Sequence, residues 1–321
     1  MKALSKTSID YLSFRHQGGV KEGAEALATL FGTIGQEFNL HPLSRGMLGF
    51  QQACELRLVD LVIGRMDYGG HSQRGWVRVV LTGKGCEWVE SWQRAIDVLG
   101  ALERSEIRRL DIALTTWRGE VTHERIVAAH TARGFCAGGR PPDLQQITNS
   151  NPRAGRTAYV GRRESDKFLR CYEKGFEMLG RMGPAGESIN EIGGHAVEGI
   201  YRCEVELKAK QRPIPWDVIE RRDAVFAGCY PFLAELLPEV EPDWLMQCKE
   251  VAPRMDLDSM LATMKHQFGP ALFTALVALD GDIFAVWDRI VGHVHSERLL
   301  AAGVLLVDHV PELALSDGEG G

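Results

Sequence analysis

Three separated stretches of the chain alternate side chains with a period of two and gather their charge on one side. In 107–115 (IRRLDIALT), Leu110, Ile112 and Leu114 point one way, and Arg109, Asp111, Ala113 and Thr115 the other. In 168–174 (FLRCYEK), Phe168, Arg170, Tyr172 and Lys174 share a face. In 201–208 (YRCEVELK), Tyr201, Cys203, Val205 and Leu207 oppose Arg202, Glu204, Glu206 and Lys208. A period of two belongs to a β-strand, whose successive side chains leave opposite faces. The stretches therefore predict a sheet with one apolar and one polar face. An antiparallel sheet with one wet side is the plain explanation of such a face.

If the three strands are neighbours, the polar face collects Asp111, Glu204, Glu206, Tyr172, Arg170 and Lys174. Carboxylate oxygens without histidine or thiolate suit a hard cation, Mg²⁺ or Mn²⁺. A phenol, with a pKa of about 10, needs help to act as a nucleophile at neutral pH. Nearby positive charge supplies that help and also holds a phosphate. Tyr172 lies in a stretch crowded with basic side chains, TAYVGRRESDKFLRCYEKG, with Arg162, Arg163 and Lys167 as further candidates for DNA contact. The predicted chemistry is attack of a tyrosine on a phosphodiester. It leaves a 5′-phosphotyrosine link and a free 3′ hydroxyl, and it needs no nucleotide cofactor.

Net charge is −6 over 321 residues. Nucleic-acid binding must then rest on a local basic patch rather than on overall charge. Seven cysteines are scattered singly with no CxxC pair, which argues against a zinc ribbon and for reduced thiols in a cytoplasmic protein. The first residues show no signal peptide, and no apolar run reaches membrane-spanning length.

Along the chain, strands are expected at 8–16, 75–83, 107–117, 157–161, 167–173 and 199–210. Helices are expected at 21–33, 85–102, 122–133 (with Thr122 as N-cap) and from about 173. Runs 134–156 and 183–199 read as loops. From Trp216 the pattern is mainly helical, with breaks at Pro231, Pro238, Pro253 and Pro270. The fold class is α+β: an antiparallel-rich sheet with the active site on one face and a helical C-terminal portion. The expected division is 1–213 for the sheet-containing nicking domain and 214–321 for the helical portion packed on it. The Gly-rich TGKGC (82–86) lacks a nucleotide-loop frame and reads as a turn. Trp88 and Trp92 read as core. Tyr159, Tyr201 and Tyr230, the rival nucleophiles, read as packing. His293 and His295 fit a His-hydrophobic-His triplet but stand far beyond the tyrosine, in a stretch expected to be helical.

YVGRRESDKFLRCYEK, followed by YRCEVELKAK and preceded by RRLDIALTTW, resembles the replication initiation factor family, the Rep_trans group of rolling-circle initiators. The three motifs stand in the family's order, over Asp111 to Lys210. IDYLSF and FAGCYPFLAE resemble the filamentous-phage branch. The resemblance implies Tyr172 as nicking tyrosine and Arg170 and Lys174 as its basic flanks. It implies Asp111 as metal ligand, together with Glu204 or Glu206. One departure is Thr115, at a position where many relatives carry an acid. The implied function is a metal-dependent nicking-closing enzyme that starts rolling-circle replication. Its implied partners are origin DNA (a single-stranded or hairpin nick site plus duplex), host helicase and polymerase, and a second copy as homodimer; no membrane is involved. A relaxase of a mobile element and a non-enzymatic DNA-binding regulator are the alternatives.

Overall fold

The computed structural model describes residues 6–136, 140–186, 188–210, 212–243 and 257–295. The chain divides into two compact units, 1–249 and 250–321. The division expected at 213/214 thus falls inside the first unit.

The strands are β1 (Ser8–His16), β2 (Phe38–Leu43), β3 (Gln52–Leu58), β4 (Leu61–Tyr68), β5 (Val77–Leu81), β6 (Glu106–Thr116), β7 (Leu144–Ile147), β8 (Thr157–Val160), β9 (Lys167–Tyr172), β10 (Glu191–Ile192), β11 (His195–Ala196) and β12 (Tyr201–Lys208). Ten of them form one sheet in the order β2-β3-β4-β5-β1-β6-β12-β9-β8-β7, while β10 and β11 make a separate small hairpin. Every pairing is antiparallel. The three motif strands are therefore direct neighbours, with β12 between β6 and β9.

The helices of the first unit are α1 (Val20–Ala28), α2 (Gly83–Glu87), α3 (Trp92–Gly100), α4 (His123–Thr131), α5 (Lys174–Arg181), α6 (Arg222–Cys229) and α7 (Pro231–Glu235). Thr122 caps α4 as expected, its hydroxyl accepting from the Arg125 amide at 3.2 Å. The helix expected over 85–102 is two: Ser91 accepts from the Arg94 amide at 3.2 Å and restarts the chain as α3. Trp88 falls in the break and is exposed rather than core. The run expected as a loop over 134–156 contains the edge strand β7, and 183–199 contains the β10–β11 hairpin.

One face of the sheet holds the core. Leu12, Phe14, Leu110, Ile112, Leu169, Cys171, Val205 and Leu207 are fully or almost fully buried, with Phe226 and Leu233 from α6 and α7 in the same cluster. Burying each such large side chain contributes about 1.5–3 kcal/mol. Phe14 meets Trp216 edge-on at 5.4 Å. Residues 214–237 cover the sheet's apolar face, which is why a boundary at 213/214 does not divide the fold. No described helix is long and apolar enough to cross a membrane, and the six described cysteines are free thiols.

The second unit, where described, consists of α8 (Leu257–Ala278) and α9 (Ile283–Ile290), the latter capped by Asp282 accepting from the Ala285 amide at 3.0 Å. Pro270 lies inside α8 and does not break it. Pro253 lies outside the described residues. His293 and His295 follow the end of α9 and are exposed, outside any helix.

His16 sits on the core face with neither ring nitrogen hydrogen-bonded, and burial lowers its pKa. A lowered folded pKa means that charging the ring opposes folding. The stability it permits is present above the unfolded value of about 6.5 and is lost as pH falls through it. We expect the melting temperature to drop between pH 7.5 and 5.5, and to drop less in His16→Leu. Equal acid sensitivity of the two proteins would count against this.

Candidate active site

Register decides what the polar face can do. Tyr172 faces Arg202, and Arg202 faces Thr115, in one row across β9, β12 and β6. The next row holds Arg170, Glu204 and Ala113; the next Phe168, Glu206, Asp111 and, on β1, Tyr11. Rows are about 6.8 Å apart and strands about 4.8 Å apart. Tyr172 is thus one row from Glu204, but two rows, about 14 Å along the strands, from Asp111.

The tyrosine end is built from several elements. The Tyr172 side chain is 7% exposed. The Arg170 guanidinium carbon lies 4.6 Å and the Lys174 ammonium 5.6 Å from its ring centre. No described residue hydrogen-bonds its hydroxyl, and Arg170 Nε is buried without a partner. Next to it, Glu173 is locked by Arg156: the amide donates at 2.6 Å, Nε at 3.1 Å and Nη2 at 2.8 Å. Gly175, the second residue of α5, lies hard against 197–199, where a Cβ would stand 2.1 Å from the Val197 carbonyl oxygen. These contacts fix where β9 ends and how the tyrosine is presented. A cavity of about 470 Å³ opens beside it, lined by Arg153, Arg156, Arg170, Arg181, Tyr159 and Tyr172 among others.

Asp10 reaches the same end, and sequence reasoning missed it. The β1–β6 pairing slips between Ile9 and Tyr11, leaving Asp10 in a bulge. Its Oδ1 accepts from Arg202 Nη1 at 2.6 Å, while Arg202 Nε donates to Thr115 Oγ1 at 2.9 Å. A bulge breaks the alternation that sorts the other residues, so period two could not have found it.

Burial pushes the Tyr172 phenol up to about 12, with Arg202 and Arg170 pulling it down and Glu204 and Asp10 pushing it further up. Burial also raises Glu204, with Arg170 opposing. Asp111 is pushed up to about 7 by burial, against the pull of Arg109. Burial lowers Lys174, whose ammonium pairs with Glu177 at 2.6 Å.

The carboxylates expected to form one metal cage are spread over two rows, Glu204 in one and Glu206 with Asp111 in the next, and each is held by a cation. Arg109 grips Asp111 through two bonds of 2.8 and 2.6 Å and reaches Glu206 at 2.8 Å. Glu206 also pairs with Lys208 at 2.6 Å, and Glu204 with Arg170 at 2.9 Å. Among the described residues no group of three or more His, Cys, Asp or Glu could hold a metal ion. The donor chemistry suits a hard cation, but each carboxylate as placed is already matched by a guanidinium. The arrangement does not fit a bound metal ion.

Lys167 does not share the tyrosine's face. Its ammonium donates to the Cys229 carbonyl and lies 4.1 Å from the centre of the Tyr230 ring. The alternation that points Phe168, Arg170 and Tyr172 outward sends Lys167 inward. Arg163 is exposed, 5.5 Å from the ring centre of Tyr159 and 5.3 Å from that of Phe168. Arg162 is exposed beside Asp143. Lys167→Met should leave DNA affinity unchanged, whereas Arg163→Ala should weaken it and flatten its salt dependence. Anisotropy titrations over a salt series distinguish the two. Of the rival tyrosines, Tyr201 is buried against His123, its hydroxyl 3.4 Å from Nδ1. Tyr230 is buried as well. Tyr159 departs from the packing expectation: it faces Arg170 on the polar side, half-buried, and lines the cavity of Tyr172.

A family model described as replication initiation factor, Rep_trans, matches residues 105–241. The stretch that holds β6, β9 and β12 carries the Rep_trans signature. Replication initiation is the general function this supports, in agreement with the resemblance seen in the three motifs. The fold is similar to the structure of the rolling circle replication initiator protein from Geobacillus stearothermophilus, with a TM-score of 0.51 and 20% identity, over 77% of this chain and 92% of that one. No curated protein sequence matches the chain significantly. The Rep_trans segment supplies the row of cations and the tyrosine. Strand β1, which brings Asp10, and the turn after β5 come from outside it.

Proposed function

We propose that this protein nicks one DNA strand at a replication origin through Tyr172 and later reseals it, as an initiator of rolling-circle replication in a filamentous phage or related element. Host helicase and polymerase would act on the product in the bacterial cytoplasm. The observation that carries this is the Tyr172 phenol at the wall of a cavity that Arg153, Arg156, Arg170 and Arg181 also line; Arg170 Nε is buried without a partner among the described residues. A buried donor without an acceptor is costly, on the order of 1–3 kcal/mol. A phosphate oxygen is the acceptor that this charge pattern suits.

In the cleavage step the Tyr172 oxygen attacks phosphorus. Its proton passes through an intervening water to Glu204, one row away, whose pKa burial raises. The O–P bond to tyrosine forms as the bond to the 3′ oxygen breaks, and that oxygen takes a proton from solvent water to become the primer hydroxyl. Arg170 and Arg202 stabilise both the phenolate and the charge spread over the phosphoryl oxygens. Attack of the 3′ hydroxyl on the phosphotyrosine reverses the exchange. Mg²⁺ or Mn²⁺ dependence is the expectation the resemblance carries; no step is assigned to a cation. Nicking of supercoiled origin DNA, followed by sequencing of the DNA-linked peptide, tests the reading. An adduct on a residue other than Tyr172 would overturn it.

A further inference from the structure

A second cavity, of about 420 Å³, adjoins α5 on its other side. Lys174, Met178 and Arg181, which share one helix face, line it, whereas Glu173, Phe176, Glu177 and Gly180 line the cavity of Tyr172. Arg181 borders both. We propose that this second cavity is the subsite for a nucleotide across the scissile phosphate from the one held beside Tyr172, with Trp117 as its stacking surface and Lys84 and Arg181 as its phosphate contacts. This rests on the reading of Tyr172 as the nicking residue.

The walls come from five places: Asp10 in the β1 bulge, the end of β5 and start of α2, the end of β6, the start of β12, and α5. Trp117 is 38% exposed, with its ring 5.4 Å from that of His195. A partly exposed indole on the rim of a cationic cavity is what a base needs for stacking. Lys84, in α2 where a turn was expected, is exposed, and no described residue pairs with it. The helix start fits closely: a Cβ on Gly83 would come 3.1 Å from the Asp10 carbonyl oxygen. Asp10 and Thr115 hold Arg202 in the wall. Glu87, also exposed in the lining, is the acid that opposes an incoming phosphate. Both cavities have volumes of the small-ligand class. Two adjoining nucleotides, one in each, would carry the phosphodiester between them over the start of α5, where Tyr172 and Lys174 stand. The partner so recognised is single-stranded at the nick site.

The test uses the full chain with Tyr172→Phe, so that binding is measured without cleavage, and fluorescein-labelled dT12 as probe, because base stacking tolerates any sequence. Trp117→Ala should weaken dT12 binding by roughly 5- to 150-fold and Trp117→Phe by clearly less. Binding of a 12-base-pair duplex should be unchanged. Lys84→Ala should reduce the salt slope for dT12 by about 0.7, and Glu87→Gln should tighten binding. Quenching of indole fluorescence by dT12 should be smaller in Trp117→Phe. Wild-type affinity of both Trp117→Ala and Lys84→Ala, or equal losses on duplex, would overturn the subsite. A protein that nicks through Tyr172 yet gives that result loses only the subsite. Nicking that survives Tyr172→Phe removes the reading beneath it instead.

Discussion

Replacing Tyr172 by phenylalanine should reduce nicking of supercoiled origin DNA to background, a loss on the order of 10⁴-fold or more. The substitution deletes one oxygen that no described residue hydrogen-bonds. The ring keeps its place between Arg170 and Lys174, and the melting temperature should hardly move. That separation makes the test sharp, because a loss of activity without a loss of stability is the mark of a nucleophile rather than of packing. Glu204→Gln should also slow cleavage, by more than any change in DNA affinity explains. Equal nicking by the wild-type and phenylalanine proteins would end the assignment of Tyr172. Tyr159 is the residue to examine next in that event, since it lines the same cavity.

Arg109→Ala should be the most destabilising single change on the polar face. Asp111 and Glu206 have side chains only 3% and 8% exposed, and both lean on this guanidinium. Removing it leaves Asp111 buried without its partner, while Glu206 retains Lys208. Breaking one side of a buried pair costs about 3–5 kcal/mol, or roughly a 6–20 °C fall in melting temperature for a domain of this size. Arg109 is itself 34% exposed, and water will temper the loss toward the lower end. Adding Asp111→Asn should restore much of it by removing the charge left behind. A melting temperature unchanged in Arg109→Ala would show that the pair contributes little.

Much of the fold was legible because the signals are local. Alternation placed Arg109, Asp111 and the four charged residues of β12 on the polar face, but the irregularity before Arg109 put Glu106 and Arg108 outside its reach. Thr122 announced a helix start through its own side chain. Ser91 was legible in principle, but the apolar spacing across Trp88 and Trp92 concealed the break. Strands β2, β3 and β4 passed unread, and β7 looked like loop, because pairing with a neighbour rather than their own composition makes them strands. Lys167 shows a further limit: a basic stretch read as a block does not reveal that alternation turns this lysine toward the helices, where its ammonium meets the Cys229 carbonyl.

By itself the sequence determined which side chains can face the same way, since the direction of a strand side chain follows from its position in the chain. It could not determine the row in which each one stands. Register depends on turns, on a bulge at Asp10 and on contacts between segments some hundred or more residues apart. Only the tertiary structure placed Tyr172 beside Arg202, Glu204 and Asp10, two rows from Asp111. Only it set a guanidinium against each carboxylate and brought Trp117 and Lys84 to one cavity wall.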